Sequence, residues 1–315
     1  MITVSDVVCA VDGTAVGLDL NHTLVGVSPI HNPKPHHIVP YFSDLYRDQL
    51  DTLPQTAVLL STHSINRPHI FVKHGSSAMG KSIALFQWSI SNLPTIVHET
   101  AKIHASVHIG AGSVIQAHAT IDAGSVIGER CFVGKGVVIS ANVSIGHSVR
   151  IGDQCVIRSG AVIGSDGFGY VTHADRTHHA IPHQGGVWLG DSVHVGSLTT
   201  IDRGVLSDTT IGAGTKIDAH CHIAHNGAIG RHCLLAGGVQ FAGSVTVGDH
   251  CIFAGQVAVA DHVTIGPNSV ILSRAGVTKS FPSGGVTLFG FPAQMHRDEM
   301  RFQATIKRMV KQWQS

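Results

Sequence analysis

From Ile103 onward a large aliphatic side chain returns at every sixth position: Ile103, Ile109, Ile115, Ile121, Ile127, Val133, Ile139, Ile145, Ile151, Ile157 and Ile163. The period breaks, resumes at Leu189, Val195 and Ile201, slips, and runs again from Ile211 through Ile217, Ile223 and Ile229 to Val277. Neither a helical stripe nor strand alternation has this spacing, and a fixed short period signals a stacked-repeat architecture. Four residues after each large side chain comes a small or β-branched one, as at Ser113, Ala119, Ser125, Val137, Val143 and Thr215. The pattern describes a triangular prism. Each unit is a short strand and a corner, the large side chain fills the interior, and three units make an 18-residue coil. Coils stacked about 4.8 Å apart pair backbone to backbone, which gives roughly nine coils and a length on the order of 40 Å. The expected class is mainly β: a parallel β-helix of hexapeptide repeats.

The flanks lack the period. Residues 1–95 read as a small N-terminal α/β domain, 96–280 as the β-helix and 281–315 as a C-terminal extension with a helix. In the first, a helix over 4–10 capped by Ser5, strands over 56–60 and 69–73, and a helix over 77–88 with Ile83, Leu85 and Phe86 inside are expected, with a boundary near Pro94. In the last, Met295, Phe302, Ile306, Met309 and Trp313 have helical spacing over 294–313. The other side carries Arg301, Lys307, Arg308 and Lys311, a solvated face or a dock for an acidic partner.

Composition excludes several classes. Net charge is +1 and 13% of residues are charged, so no basic footprint for nucleic acid exists. No apolar run reaches the length of a membrane span. The N-terminal residues contain Asp6 and no basic stretch, unlike a signal peptide. A cytoplasmic protein is expected. Of six cysteines, Cys131, Cys155, Cys221, Cys233 and Cys251 fall on the small-residue position, where packing explains them better than metal or redox chemistry.

Two stretches could carry chemistry. The excursion over 165–187 interrupts the prism with Phe168, Tyr170 and the histidines His173, His178, His179 and His183, and loops leaving a rigid scaffold are where ligands are usually met. The densest polar run is Asp218, His220, His222, His225 and Asn226. His225 lies two residues beyond the rung residue Ile223, and one coil later Gly243 stands at the same place. A general base beside an exposed backbone N–H suits acyl transfer, and glycine lets a substrate approach that backbone closely. A metal reading competes. His220, His222 and His225 have a spacing similar to the zinc ligands of trimeric β-helix carbonic anhydrases, which would make a metal-dependent hydratase, and the excursion histidines could also hold a metal.

Several stretches carry a family resemblance: Asp-Gly-Phe-Gly-Tyr at 166–170, Thr-Ile-Asp-Arg-Gly at 200–204, Ile-Ala-His-Asn at 223–226, Ala-Gly-Ser at 242–244 and Gly-Phe-Pro-Ala-Gln at 290–294. In this order, over nearly the whole chain, they resemble the UDP-3-O-(3-hydroxyacyl)glucosamine N-acyltransferases of lipid A assembly in Gram-negative bacteria, within the hexapeptide-repeat acyltransferases. The resemblance implies a left-handed coil and a homotrimer with active sites between prisms. It implies transfer of a 3-hydroxyacyl chain from acyl-carrier protein to the 2-amine of a UDP-sugar, in the cytoplasm near the inner membrane, with no metal and no cofactor beyond the carrier thioester.

His225 then matches the catalytic base, Gly243 the oxyanion N–H, and Asp218 and His262 polar residues close to the site. The family's uridine pattern Phe-x-x-Asn-x-x-Tyr keeps Tyr46 but has Ser43 for Asn and Pro40 for Phe; Phe168 and Tyr170 complete the expected substrate-binding set. Ala219 stands where the family often has Asn. Gly276 stands where relatives carry Met at the acyl-chain end, which predicts a deeper pocket and a longer chain. The basic C-terminal helix becomes a docking surface for the acidic carrier. An acetyl-CoA-dependent nucleotide-sugar acetyltransferase and a non-catalytic scaffold are the remaining alternatives.

Overall fold

Each six-residue unit is one two-residue strand and one corner. The three faces of the prism are parallel sheets: a first of nine strands from His108–Ile109 to Gly276–Val277, a second of nine from Ile96–Val97 to Thr264–Ile265, and a third of eleven from Lys102–Ile103 to Thr287–Phe289 and Gln294–Met295. The last pair of the third sheet is antiparallel. Registers follow the sequence period, as in Ile127↔Ile145 and Phe241↔Val259. Across the break the ladder continues: Ile151 pairs with Leu189 and Ile163 with Ile201.

The rung side chains form one continuous core from Ile115 to Leu288, and the small positions are buried with them. Hydroxyls there complete the ladder. Ser113 accepts from the Cys131 amide one coil above at 3.0 Å, and Thr215 does the same for Cys233 at 3.0 Å. Their own O–H groups donate to Gly128 and Gly230 carbonyls. Thiols at these positions donate to the same class of corner carbonyl, as Cys131 does to Gly146 and Cys155 to Gly190. A small polar side chain thus satisfies corner groups that a larger residue would leave buried and unpaired.

The third residue after a rung turns most corners and has positive φ, as at His118, Asn142, His220, Asn226, His232 and His262. Asn and His tolerate this region better than most residues. The corners therefore account for part of the chain's histidine content.

The computed structural model describes residues 1–86, 92–173 and 175–313. They divide into two compact units: 1–89 with 168–184 and 205–207, and 90–167 with 185–204 and 208–315. The first unit holds a five-stranded sheet in the order Thr14–Val16, His69–Phe71, Val58–Ser61, His37–Tyr41, Gly26–Val27, parallel except for its first pair. Helices α1 (Val4–Val11) and α2 (Gly75–Leu85) share a core with Ile38, Leu60 and Ile70. The cap of α1 is Thr3, not Ser5: Thr3 and Asp6 form a reciprocal capping box, which satisfies two free amides where Ser5 would satisfy one. Helix α2 starts two residues earlier than the expected 77; Ile83 is buried, Leu85 and Phe86 are half-buried, and Trp88 lies outside the described residues.

The excursion is not a free loop. Tyr170–Thr172 and His178–Ala180 pair as an antiparallel hairpin in the first unit. Gln184 donates to the Ile83 and Phe86 carbonyls at the end of α2.

Helix α3 (His296–Trp313) has no buried residue and exposes Phe302, Ile306, Met309 and Trp313. Among the described residues no helix is long and apolar enough to cross a membrane.

Burial pushes the Cys155 thiol up to about 11, whereas Cys9 is exposed. A thiol reagent at pH 8 should label one of the six cysteines quickly in the folded protein and all six after denaturation. Rapid native labelling of several would contradict the buried ladder.

Candidate active site

His225 sits at the corner between the first and second faces, after the strand His222–Ile223. Stacking sets what lies above it. The Ser244 amide donates to the His225 carbonyl at 2.9 Å, and the His262 amide to the Gly243 carbonyl at 3.0 Å. His225, Gly243 and His262 therefore share one corner over three coils. A Cβ on Gly243 would lie 2.8 Å from Cε1 and Nε2 of the His225 ring. Only a residue without a side chain leaves the imidazole this close to the backbone. Among the described residues the Gly243 N–H has no acceptor.

The lower side of the ring was not anticipated from sequence. A Cβ on Gly167 would lie 2.7 Å from Cβ and Nδ1 of His225. The half-buried side chain thus meets a glycine at each end, Gly167 at Cβ, Cγ and Nδ1 and Gly243 at Cε1 and Nε2. The signal was the glycine at the start of the excursion, but placing it over residue 225 required the register across the break.

Below His225 on the same corner is Arg203, 5% exposed. Its guanidinium donates to the carbonyls of Gly164 (2.8 Å) and His147 (3.0 Å) and lies 3.5 Å from the Asp166 carboxylate. Burial pulls its pKa below the ordinary arginine value and the Asp166 charge opposes that shift. Asp202, also buried, accepts from Ser165 Oγ at 2.8 Å and lies 3.7 Å from His222 Nε2, while His222 Nδ1 is 2.7 Å from Thr200 Oγ1.

Other expected residues are dispersed. Asp218 is exposed at the corner between the third and first faces, not at that of His225. It lines a groove of about 670 Å³ on the third face, with Arg158, His194, Lys216, Leu234 and Ile252. Burial, with Lys216 and Arg158 close by, pulls the His194 imidazole below its ordinary pKa. His225 does not line this groove. Its corner is convex in a single chain, whereas the groove follows the hollow of a face.

In the first unit, Ser43 caps the 3-10 segment Asp44–Thr52, which contains the half-exposed Tyr46. Phe168 and Tyr170 are exposed with ring centroids 5.0 Å apart. No ring contact joins them to Tyr46 among the described residues.

Gly276 closes the outward column of the first face, three coils above His222 through Gln240 and Ala258. The exposed Phe291 ring lies over Gly276, where a Cβ would run into its Cδ2–Cε2 edge. Among the described residues no group of three or more His, Cys, Asp or Glu is arranged to hold a metal ion.

Residues 130–165 match the profile of the family described as bacterial transferase hexapeptide (six repeats). Similar curated proteins include UDP-3-O-acylglucosamine N-acyltransferase 1 of Sulfurimonas denitrificans, 38% identical over 48% of this chain and 47% of that one. UDP-3-O-acylglucosamine N-acyltransferase of Chlorobium chlorochromatii is 50% identical over 46% and 40%, and UDP-3-O-acylglucosamine N-acyltransferase 1 of Gloeobacter violaceus 54% over 47% and 42%. The chain spans less than half the length of these relatives. Among solved structures, a Francisella novicida UDP-N-acetylglucosamine acyltransferase is similar with a TM-score of 0.48 at 23% identity, over 66% of this chain and 73% of that one.

Because the Phe291 ring is mostly solvent-exposed and can swing away, Gly276→Met should change stability by no more than about 0.5 kcal/mol in denaturant unfolding. A larger loss would show that the ring is held in place over Gly276.

Proposed function

We propose that this chain is an N-acyltransferase that moves a 3-hydroxyacyl group from acyl-carrier protein to the 2-amine of UDP-3-O-(3-hydroxyacyl)glucosamine, a step of lipid A assembly. The observation that carries the reading is the His225 imidazole packed against the Gly243 backbone. The names of the curated relatives agree with it.

The chemistry follows from that pair. Nε2 of His225, on the ring edge facing Gly243, takes a proton from the attacking amine. The amine forms the C–N bond at the thioester carbonyl. Negative charge collects on the carbonyl oxygen, where the Gly243 N–H donates to it. Collapse breaks the C–S bond, and the imidazolium returns its proton to the leaving thiolate. The thioester already activates the acyl group, so the reaction needs no metal and no further cofactor.

A homotrimer would complete the site by bringing the third face of one copy beside the corner of the next. Its groove offers Arg158, His194 and Lys216 for anionic groups, Leu234 and Ile252 for a hydrocarbon chain, and Asp218 as a partner for the base. His262 stands two coils above His225 as a further polar contact. Helix α3 would pack its apolar stripe against its copies and turn Arg301, Lys307, Arg308 and Lys311 toward the acidic carrier protein. Tyr46, Ser43, Phe168 and Tyr170 are the aromatic and polar groups that would meet the uridine. Gly276 with Phe291 would bound the far end of the acyl chain. The enzyme would act in the cytoplasm, near the inner membrane where lipid A precursors gather.

His225→Ala should lower kcat by about 10²- to 10⁴-fold, the usual contribution of a positioned general base. Gly243→Ala should also lower kcat, because the methyl group would displace the ring. Mass-spectrometric detection of the amide product from carrier-bound 3-hydroxyacyl chains checks both. Full activity in His225→Ala would remove the mechanism.

A further inference from the structure

We propose that Arg203 is a positioning residue for His225 and acts through the segment 164–167, which it pins so that Gly167 packs as a wall against the Cβ–Nδ1 end of the imidazole. The inference deepens the acyl-transfer reading and rests on His225 being its base.

The regular ladder ends just before this segment. Ile163 pairs with Ile201, the register then shifts, and Ser165 pairs with Asp202. Such a bulge bends the strand out of the sheet. Gly164 enters it at φ +87°, a conformation that suits glycine. Beyond Ser165 the coil geometry no longer dictates where the chain goes.

Residues 202 and 203 supply what the ladder does not. The Arg203 amide donates to the Ser165 carbonyl at 2.8 Å, and Ser165 Oγ donates to Asp202 at 2.8 Å. The Arg203 side chain holds the Gly164 carbonyl from Nε and the His147 carbonyl from its terminal nitrogen, and lies beside Asp166. One planar fork therefore ties three successive turns of chain at the corner directly below His225. A lysine presents a single point charge and cannot bridge the same carbonyls. Gly167 follows at once, with the His225 ring against its Cα. With Gly243 against Cε1 and Nε2, the imidazole is bounded by glycine backbone at both ends. Releasing 164–167 removes one wall, and the ring gains rotamers that point Nε2 away from the Gly243 N–H.

Two stretches more than thirty residues apart in sequence are joined here: Arg203 and Asp202 grip Gly164, Ser165 and Asp166.

The test compares the wild-type full chain with Arg203→Lys and Gly167→Ala. The second variant leaves the Arg203 contacts intact and places a methyl group against the ring, so it tests the Gly167 contact by itself. Long-range ¹H–¹⁵N spectra of the histidine rings, with His225 assigned from the spectrum of His225→Gln, report the ring's setting directly. The His225 signals should shift or broaden in both variants, while those of the stacked pair His232 and His250 on another corner stay in place. In the transfer assay kcat should fall at least about tenfold with KM for the sugar within about twofold, the pattern of a lost transition-state arrangement. His225 signals that superimpose on wild type in folded Gly167→Ala, or an unchanged kcat in an active enzyme, would overturn the proposal. A wild-type chain that transfers no acyl group defeats the functional reading alone, and the ring spectra still decide this one.

Discussion

The backbone hydrogen bond from the Ser244 amide to the His225 carbonyl, one coil below, fixes everything that can happen at this corner. It belongs to a ladder in which every coil copies the height and rotation of the last. A shift of one residue would put a rung side chain outside and a polar one inside. The buried run from Ile115 to Leu288 makes that shift prohibitive. Register is therefore the protein's means of aiming a side chain. It places Gly243, and no bulkier residue, against the imidazole.

The same ladder is interrupted, and the site lies beside the longest interruption. Between Ile163 and Leu189 the chain leaves the prism, joins the first unit as a hairpin, and returns in register. A regular coil would have left the lower side of His225 facing an ordinary corner. The departure instead delivers Gly167 there, held by Arg203 and Asp202. Buried arginine is costly unless its donors are satisfied. Here they meet carbonyls that the bulge and the corner would otherwise leave without partners.

Much of this was legible in the residues. The six-residue period specified the rungs, the three faces and the stacking of residue 243 over 225, because strand spacing and coil length are backbone properties. What the period did not carry was side-chain competition for space. Gly276 looked like room for a longer chain, yet the exposed ring of Phe291, fifteen residues on, lies over it. Thr3 replaced Ser5 as the cap because Asp6 could answer it. The spacing of His220, His222 and His225 admitted a competing metal reading; His220, like His118, His232 and His262, turns a corner of positive φ. The hairpin and Gly167 escaped because their places depend on contacts made across the break.

The central claim is that the His225 corner transfers a hydroxyacyl group to an amine. The most direct measurement offers the purified protein UDP-3-O-acylglucosamine together with equimolar 3-hydroxyacyl-acyl-carrier protein and acetyl-CoA, and reads the sugar product by mass spectrometry. The account predicts a product heavier by one 3-hydroxyacyl group in amide linkage. An acetylated sugar, or a substrate recovered unchanged while the carrier thioester stays intact, would contradict it.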